Sequence, residues 1–243
     1  EDSIAPDSGK GSISESAGPS DRRCFRVRFA KKLFMKYVGH HDISKAFYRA
    51  FRRLNIDLAY SQGFHPHPKM RFSPPTAFGI ESECELMDFE TINCVLEPGD
   101  ILDALARSLP TGIEPFDIVE TPLNQKSVSA NIISIIYEIS NYHLGSVEFI
   151  GERVRNFCES GTIEVVSERK GRKRVRNIKE WVSGIDVNDD CVRLTIRSGA
   201  TGSLNPFEAV YAIFGLASSR SKDLEIVKKS VALGDSEPID KDR

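Results

Sequence analysis

Two hydrophobic periods alternate along the chain from residue 22 onward. Phe25, Val27 and Phe29 alternate with Arg26 and Arg28, which predicts a β-strand. A short apolar stretch follows at 33–38, and Gly39 then leads into His40-His41-Asp42. Asp42 is a suitable N-cap for the next element. Ile43, Ala46, Phe47, Ala50, Phe51 and Leu54 recur at helical spacing and form one apolar face, with Lys45, Arg49, Arg52 and Arg53 mostly off it. Residues 57–72 read as a strand that enters and leaves the turn Gln62-Gly63-Phe64-His65-Pro66-His67-Pro68, whose two prolines exclude a helix. Residues 85–95 predict a strand, 100–109 a helix that stops at Pro110, and 116–119 a closing strand.

The polar stretch 125–131 reads as a boundary, after which the same order returns. Strands are predicted at 132–139, 162–166, 191–196 and 224–231, and helices at 147–158 and 206–216. Val147, Ile150, Val154 and Phe157 share one face of the first helix, and Asn205 or Ser203 caps the second. This order predicts an α+β protein of two tandem ferredoxin-like (split βαβ) units with antiparallel sheets, at 22–125 and 126–233. Residues 1–21 are rich in Ser, Gly, Pro and acidic side chains and are expected to be a disordered linker, as residues 234–243 are a disordered tail. The first residue is Glu rather than Met, which suits a segment of a longer protein.

Composition excludes several classes. Apolar residues make up 40% of the 243, too many for a wholly disordered chain. No apolar run approaches the ~18 residues of a membrane span. The five cysteines (Cys24, Cys84, Cys94, Cys158, Cys191) lie far apart without a CxxC, which excludes a zinc ribbon or a cysteine-held cluster. Such thiols suit a reduced, cytoplasmic protein.

Net charge is −2, yet the charges are segregated. Residues 22–71 hold thirteen Lys and Arg against two Asp, whereas residues 72–125 hold one Arg against eleven Asp and Glu. A second basic run, Arg169-Lys170-Gly171-Arg172-Lys173-Arg174-Val175-Arg176, lies between predicted strands and reads as a hairpin or exposed loop. Clustered cations among aromatics point to nucleic acid. The candidate binding residues are Arg26, Arg28, Lys45, Arg49, Arg53, Tyr60, Gln62, Gly63, Phe64, Lys69, Arg71 and the cations of the 169–176 run. The opposing reading is a basic face docked on the acidic segment of the same molecule.

Candidate chemistry centres on histidine. His65-x-His67 would offer two imidazoles to a metal, but no clear third ligand beyond Asp42 accompanies them, so no metal site is assigned. His40, oriented by Asp42, is a candidate general acid–base for RNA cleavage. Glu81, Glu83 and Glu85 alternate and are expected to share one face of a strand as a charged edge. No Walker A or Gly-x-Gly-x-x-Gly sequence is present.

Residues 26–29 (Arg-Val-Arg-Phe), His40-His41-Asp42, the string from Ala59 to Met70 and residues 78–82 (Phe-Gly-Ile-Glu-Ser) together resemble the radical-SAM-linked bacterial proteins, a family without an assigned reaction. The second half resembles that family more loosely, through the basic hairpin and residues 202–206. His41, His65 and His67 depart from the pattern, which leaves His40, Asp42, Gln62, Gly63, Pro66, Pro68 and Lys69 as the sites it implies. Lys69 is then placed to hold a phosphate or other anion. The resemblance implies a radical-SAM enzyme as partner, beside this chain or fused to it. That partner would carry the 4Fe-4S cluster and S-adenosylmethionine, with no cofactor in this chain. The expected role is an accessory domain that binds RNA (tRNA or rRNA) and presents it for modification. The alternatives are a metal-independent endonuclease using His40 and a protein-interaction module.

Overall fold

The computed structural model describes residues 22–169, 172–199, 202–217 and 223–234, with only the backbone at 167–169 and 172–174. The linker expected at 1–21 and the tail beyond Gly234 lie outside the described residues.

β1 (Arg22–Lys31) is the strand that the Phe25, Val27, Phe29 alternation predicts. A 3-10 turn at Leu33–Tyr37 takes up the short apolar stretch. α1 (His40–Arg53) starts earlier than predicted, with Gly39 as its N-cap. Asp42 therefore sits inside the first turn, where its negative charge suits the helix dipole. β2 (Met70–Phe72) is short. The strand predicted before it is reduced to two bridges, Leu58 with Thr91 and Tyr60 with Pro68. Prolines 66 and 68 have no N–H to extend that ladder. β3 (Glu81–Ile92), α2 (Pro98–Ser108, with a proline in its first turn) and β4 (Ile113–Thr121) complete the first half.

After α3 (Val128–Asn131) the second half runs β5 (Ile132–Ser140), α4 (Val147–Glu159), β6 (Glu164–Arg169), β7 (Arg172–Asn177), β8 (Val182–Val187), β9 (Cys191–Gly199), β10 (Gly202–Ser203), α5 (Pro206–Phe214) and β11 (Ile226–Leu233). Ser146 caps α4 by accepting from the Phe149 N–H, and Asn205 caps α5 by accepting from the Phe207 N–H. Within the basic run, Arg169 ends β6 and residues 172–176 lie on β7 of a separate two-stranded ribbon, while Lys170 and Gly171 lie outside the described residues. β8 was not predicted, because Val-Ser-Gly-Ile-Asp-Val is short and carries a glycine, which is a weak strand signal.

The result is a mixed α/β fold with a mostly antiparallel sheet and five helices among the described residues. The sheet path is β10-β9-β5-β11-β3-β1-β4, with β2 beside β3 and β8 beside β9. Separate sheets were expected for the two halves, but strands of both lie in one nine-stranded sheet. β11 joins them, lying antiparallel to β5 and parallel to β3. Two cores flank this seam. In the first, Phe25, Val27, Phe29, Met87 and Phe89 pack with the apolar stripes of α1 and α2. In the second, residues of β5, β9 and β11 pack with Ile150, Phe157, Val210 and Phe214.

The junction has one irregularity. Phe29 stands opposite Glu85 and Lys31 opposite Ser82, so three residues of β3 are matched to two of β1. This bulge turns Glu85 to the face that carries Ser82. Ser82 is in turn opposite Lys228 of β11, and Lys228 opposite Tyr137 of β5. Lys31, Ser82, Lys228 and Tyr137 thus form one polar row across four strands, and all are buried.

Candidate functional site

The segregation of charge along the chain is largely cancelled by the fold. β1 lies antiparallel between the acidic strands β3 and β4. The buried Arg26 guanidinium donates to both oxygens of Asp88, at 2.6 and 2.9 Å. Arg23 pairs with Glu120 at 2.7 Å, Arg28 with Asp117 at 3.2 Å and Lys32 with Glu114 at 3.2 Å. Lys69 and Arg71 converge on the buried carboxylate of Glu90, each at 2.6 Å. Lys69, placed by the sequence to hold an external anion, therefore has an internal one. The docked-face reading describes Arg26, Arg28, Lys69 and Arg71.

What remains on the surface is narrower. Lys45, Arg49, Arg52 and Arg53 are exposed along α1. Arg53 donates to the Ser108 hydroxyl and carbonyl, and Lys45 lies 3.9 Å from Asp42. Arg49 and Arg52 form no ion pair with the described residues. The hydroxyls of Tyr48 and Tyr60 are 3.0 Å apart, which ties the following loop to the helix. That loop exposes Gln62, Gly63 and Phe64 at its tip, with Gly63 at φ 131°, open to glycine and strained for other residues. Arg176 stacks on Trp181, 5.5 Å from the ring centre, and donates to the Ser203 carbonyl at 3.0 Å. The side chains of Arg169, Arg172, Lys173 and Arg174, and all of Lys170, lie outside the described residues.

His40 does not stand with this surface patch alone. It lines a cavity of about 240 Å³ between β1, the N-terminus of α1 and the 72–78 segment. Phe29, Val38, Ile43, Phe72 and Phe78 provide apolar walls. Lys31, His40, Ser73, Thr76 and Glu85 provide the polar lining. The His40 ring meets Phe72 edge-on at 5.1 Å. Partial burial lowers the His40 pKa below its usual 6.5, with Lys31 and His41 adding to the effect and Glu85 opposing it. The ring is therefore neutral near pH 7. Asp42, cast as the group that orients His40, is instead the neighbour of Lys45.

Glu85 is the best-held carboxylate in the cavity. It accepts from Thr76 and, at 3.2 Å, from Ser73, and it pairs with Lys228 at 3.1 Å. Burial alone would raise its pKa, but Lys228 and the hydroxyls of Thr76 and Ser82 outweigh that and hold it below the usual 4.5. The alternation that grouped Glu85 with Glu81 and Glu83 is broken by the bulge. Glu81 pairs with Lys36 and Glu83 with Lys229, while Glu85 joins the buried row. Lys31 and Lys228 carried no site assignment. A pair of lysines inside the apolar strand 226–233 was the one available signal for this row. Among the described residues, no group of three metal-ligating side chains occurs, and His65 and His67 are exposed on the loop.

A sequence model of a family described as "Uncharacterized protein conserved in bacteria (DUF2344)" matches residues 24–206. That span runs from β1 to the first residue of α5. No curated protein matches the chain. No helix among the described residues is long and apolar enough to cross a membrane.

Proposed function

Given that the chain belongs to the conserved bacterial family DUF2344, we propose that it is an accessory protein that binds RNA and presents it to a radical-SAM enzyme. The observation that carries this reading is what the ion pairs leave over. The exposed cations of α1, Arg49 and Arg52 among them, lie along one helix with Tyr48, and Tyr60 and Phe64 follow on the loop tied to it. Cations at that spacing neutralise successive phosphates, and exposed rings stack on unpaired bases. The strand orders β4-β1-β3-β2 and β11-β5-β9-β8 support reading the halves 22–125 and 126–233 as two ferredoxin-like units that share a sheet. The partner's cluster and S-adenosylmethionine would supply the chemistry. Exposed Leu33, Phe34, Tyr37 and Phe78 offer that partner an apolar contact.

The test is a titration with total tRNA and ribosomal RNA at several salt concentrations, with the RNA run on a gel afterwards. The wild type should bind with a steep salt slope. Arg49→Glu combined with Arg52→Glu should weaken binding about tenfold or more and reduce the slope by about two. An unchanged slope removes α1 from the interface, and no affinity near 0.15 M salt overturns RNA binding. Cut RNA would favour the second reading, an endonuclease, which rests on the neutral His40 ring in the cavity.

A further inference from the structure

The cavity beside α1 is lined by one buried cation and one buried anion, Lys31 and Glu85, and the anion is taken up from behind by Lys228, which lies outside the lining. Glu85 is already committed to Lys228, Thr76 and Ser73. Lys31 is only 6% exposed and lines the cavity, and its ammonium makes no hydrogen bond or ion pair with the described residues. The Lys31 ammonium therefore meets solvent through the cavity and not through the protein surface, and a fold that needed only packing there would be better served by an apolar side chain.

The N-terminus of α1 opens on the same space. Gly39 caps the helix without a side-chain acceptor, and Gly39 and His40 both line the cavity. The first amides of the helix therefore add a partial positive charge to that of Lys31, offset in part by the exposed Asp42 carboxylate in the same turn.

The remaining surface sets the rest of the ligand. The walls are mostly aromatic and aliphatic, and the lining contains no glycine-rich loop to wrap the three oxygens of a phosphate. The volume of about 240 Å³ corresponds to roughly eight waters at ~30 Å³ each, which is room for one small ring bearing one acidic group. We propose that this cavity binds a small aromatic or heteroaromatic carboxylate, its acid group paired with Lys31 at the α1 N-terminus and its ring held between Phe72 and Phe78. Burial lowers the Lys31 pKa, the nearby Lys228 adds to the effect and Glu85 opposes it, as expected for a cation whose counter-ion is still to arrive. The proposal does not depend on RNA binding, which uses the outer side of α1.

Benzoate is the probe, with benzyl alcohol as its uncharged counterpart and inorganic phosphate as an anion without a ring. Binding is read by thermal shift and by two-dimensional NMR on the whole chain. Benzoate should raise the melting temperature and shift signals of Ile43 and Phe72, whereas the other two should do neither at the same concentration. Lys31→Met should raise the melting temperature of the free protein and weaken benzoate about tenfold or more. Phe78→Ala, at an exposed wall position, should leave the free protein's melting temperature unchanged and weaken benzoate several-fold. The proposal is overturned if benzyl alcohol or phosphate matches benzoate, if benzoate has no effect at about 10 mM, or if Lys31→Met lowers the melting temperature of the free protein. The last result would make Lys31 a structural residue.

Discussion

Glu85 and Lys228 show how much a single buried pair can carry. Each is almost wholly shielded from water, and each comes from a different half of the chain. Lys228→Met leaves the Glu85 carboxylate buried without its cation, and an uncompensated buried charge typically costs about 3–5 kcal/mol. Urea unfolding at pH 7 should show a loss of that order. Acid should act through the same group. The Glu85 pKa in the folded protein lies below its ordinary 4.5. The stability it supplies is therefore complete above pH 4.5 and is lost as the pH falls through the lower folded value. Unfolding midpoints measured from pH 6 down to pH 3 should decline for the wild type, and the decline attributable to Glu85 should be missing in Glu85→Gln. An identical decline in that variant would assign the acid sensitivity to other carboxylates.

Among the elements, the turn between α2 and β4 is as tightly constrained as the bulge in β3. Gly112 has φ 91°, and a Cβ there would lie 2.6 Å from the backbone oxygen of Lys32. Its carbonyl also accepts from the Lys32 N–H at 2.8 Å, which fixes the end of β1 where Lys31 enters the cavity. A side chain at this position meets backbone, which cannot swing aside. Gly112→Ala should therefore destabilise by about 1–3 kcal/mol. Chemical denaturation reads this directly, and a change within 0.5 kcal/mol would show that the turn relaxes at little cost. The strands explain the charge pattern in the same way. Antiparallel pairing of one basic strand with two acidic ones turns a sequence-level segregation into local neutrality. The cations on α1, which packs its apolar stripe inward and pairs with no strand, escape it, as does Lys31 at the end of β1.

At the scale of the whole molecule, the shared sheet makes the two halves interdependent. β11 belongs by sequence to the second half and hydrogen-bonds to β3 of the first. The sequence division at 125/126 also separates Glu85 from Lys228. If residues 22–125 and 126–234 are produced separately, each should melt at a lower temperature than the intact chain, because each exposes a strand edge and a buried charge. Mixed, they should associate and recover part of that stability. Circular dichroism and size-exclusion chromatography decide the matter: two fully stable halves that ignore each other would make the chain a pair of independent domains.

Much of this architecture was readable from residue spacing. The periods of two and 3.6 located β1, α1, α2, β5, α4, β9, α5 and β11, because burial of one face imposes its period on the sequence wherever an element is long enough to show it. Short or interrupted elements such as β2 and β8 leave too few residues for a period to register. The sequence likewise singled out His40, and the Tyr60–Phe64 loop as an exposed feature. It could not assign partners to the cations, because Arg26 and Asp88, or Lys69 and Glu90, meet only across strands far apart in the chain. It could not reveal the cavity either. Lys31, Glu85 and Lys228 come together through a bulge and a parallel strand contact, and neither leaves a periodic mark. The sequence by itself determined which segments become helices and strands and where charge is stored. Only the tertiary structure decided which of those charges cancel and which are left facing an empty space, because electrostatic energy depends on distance in space and not on separation along the chain.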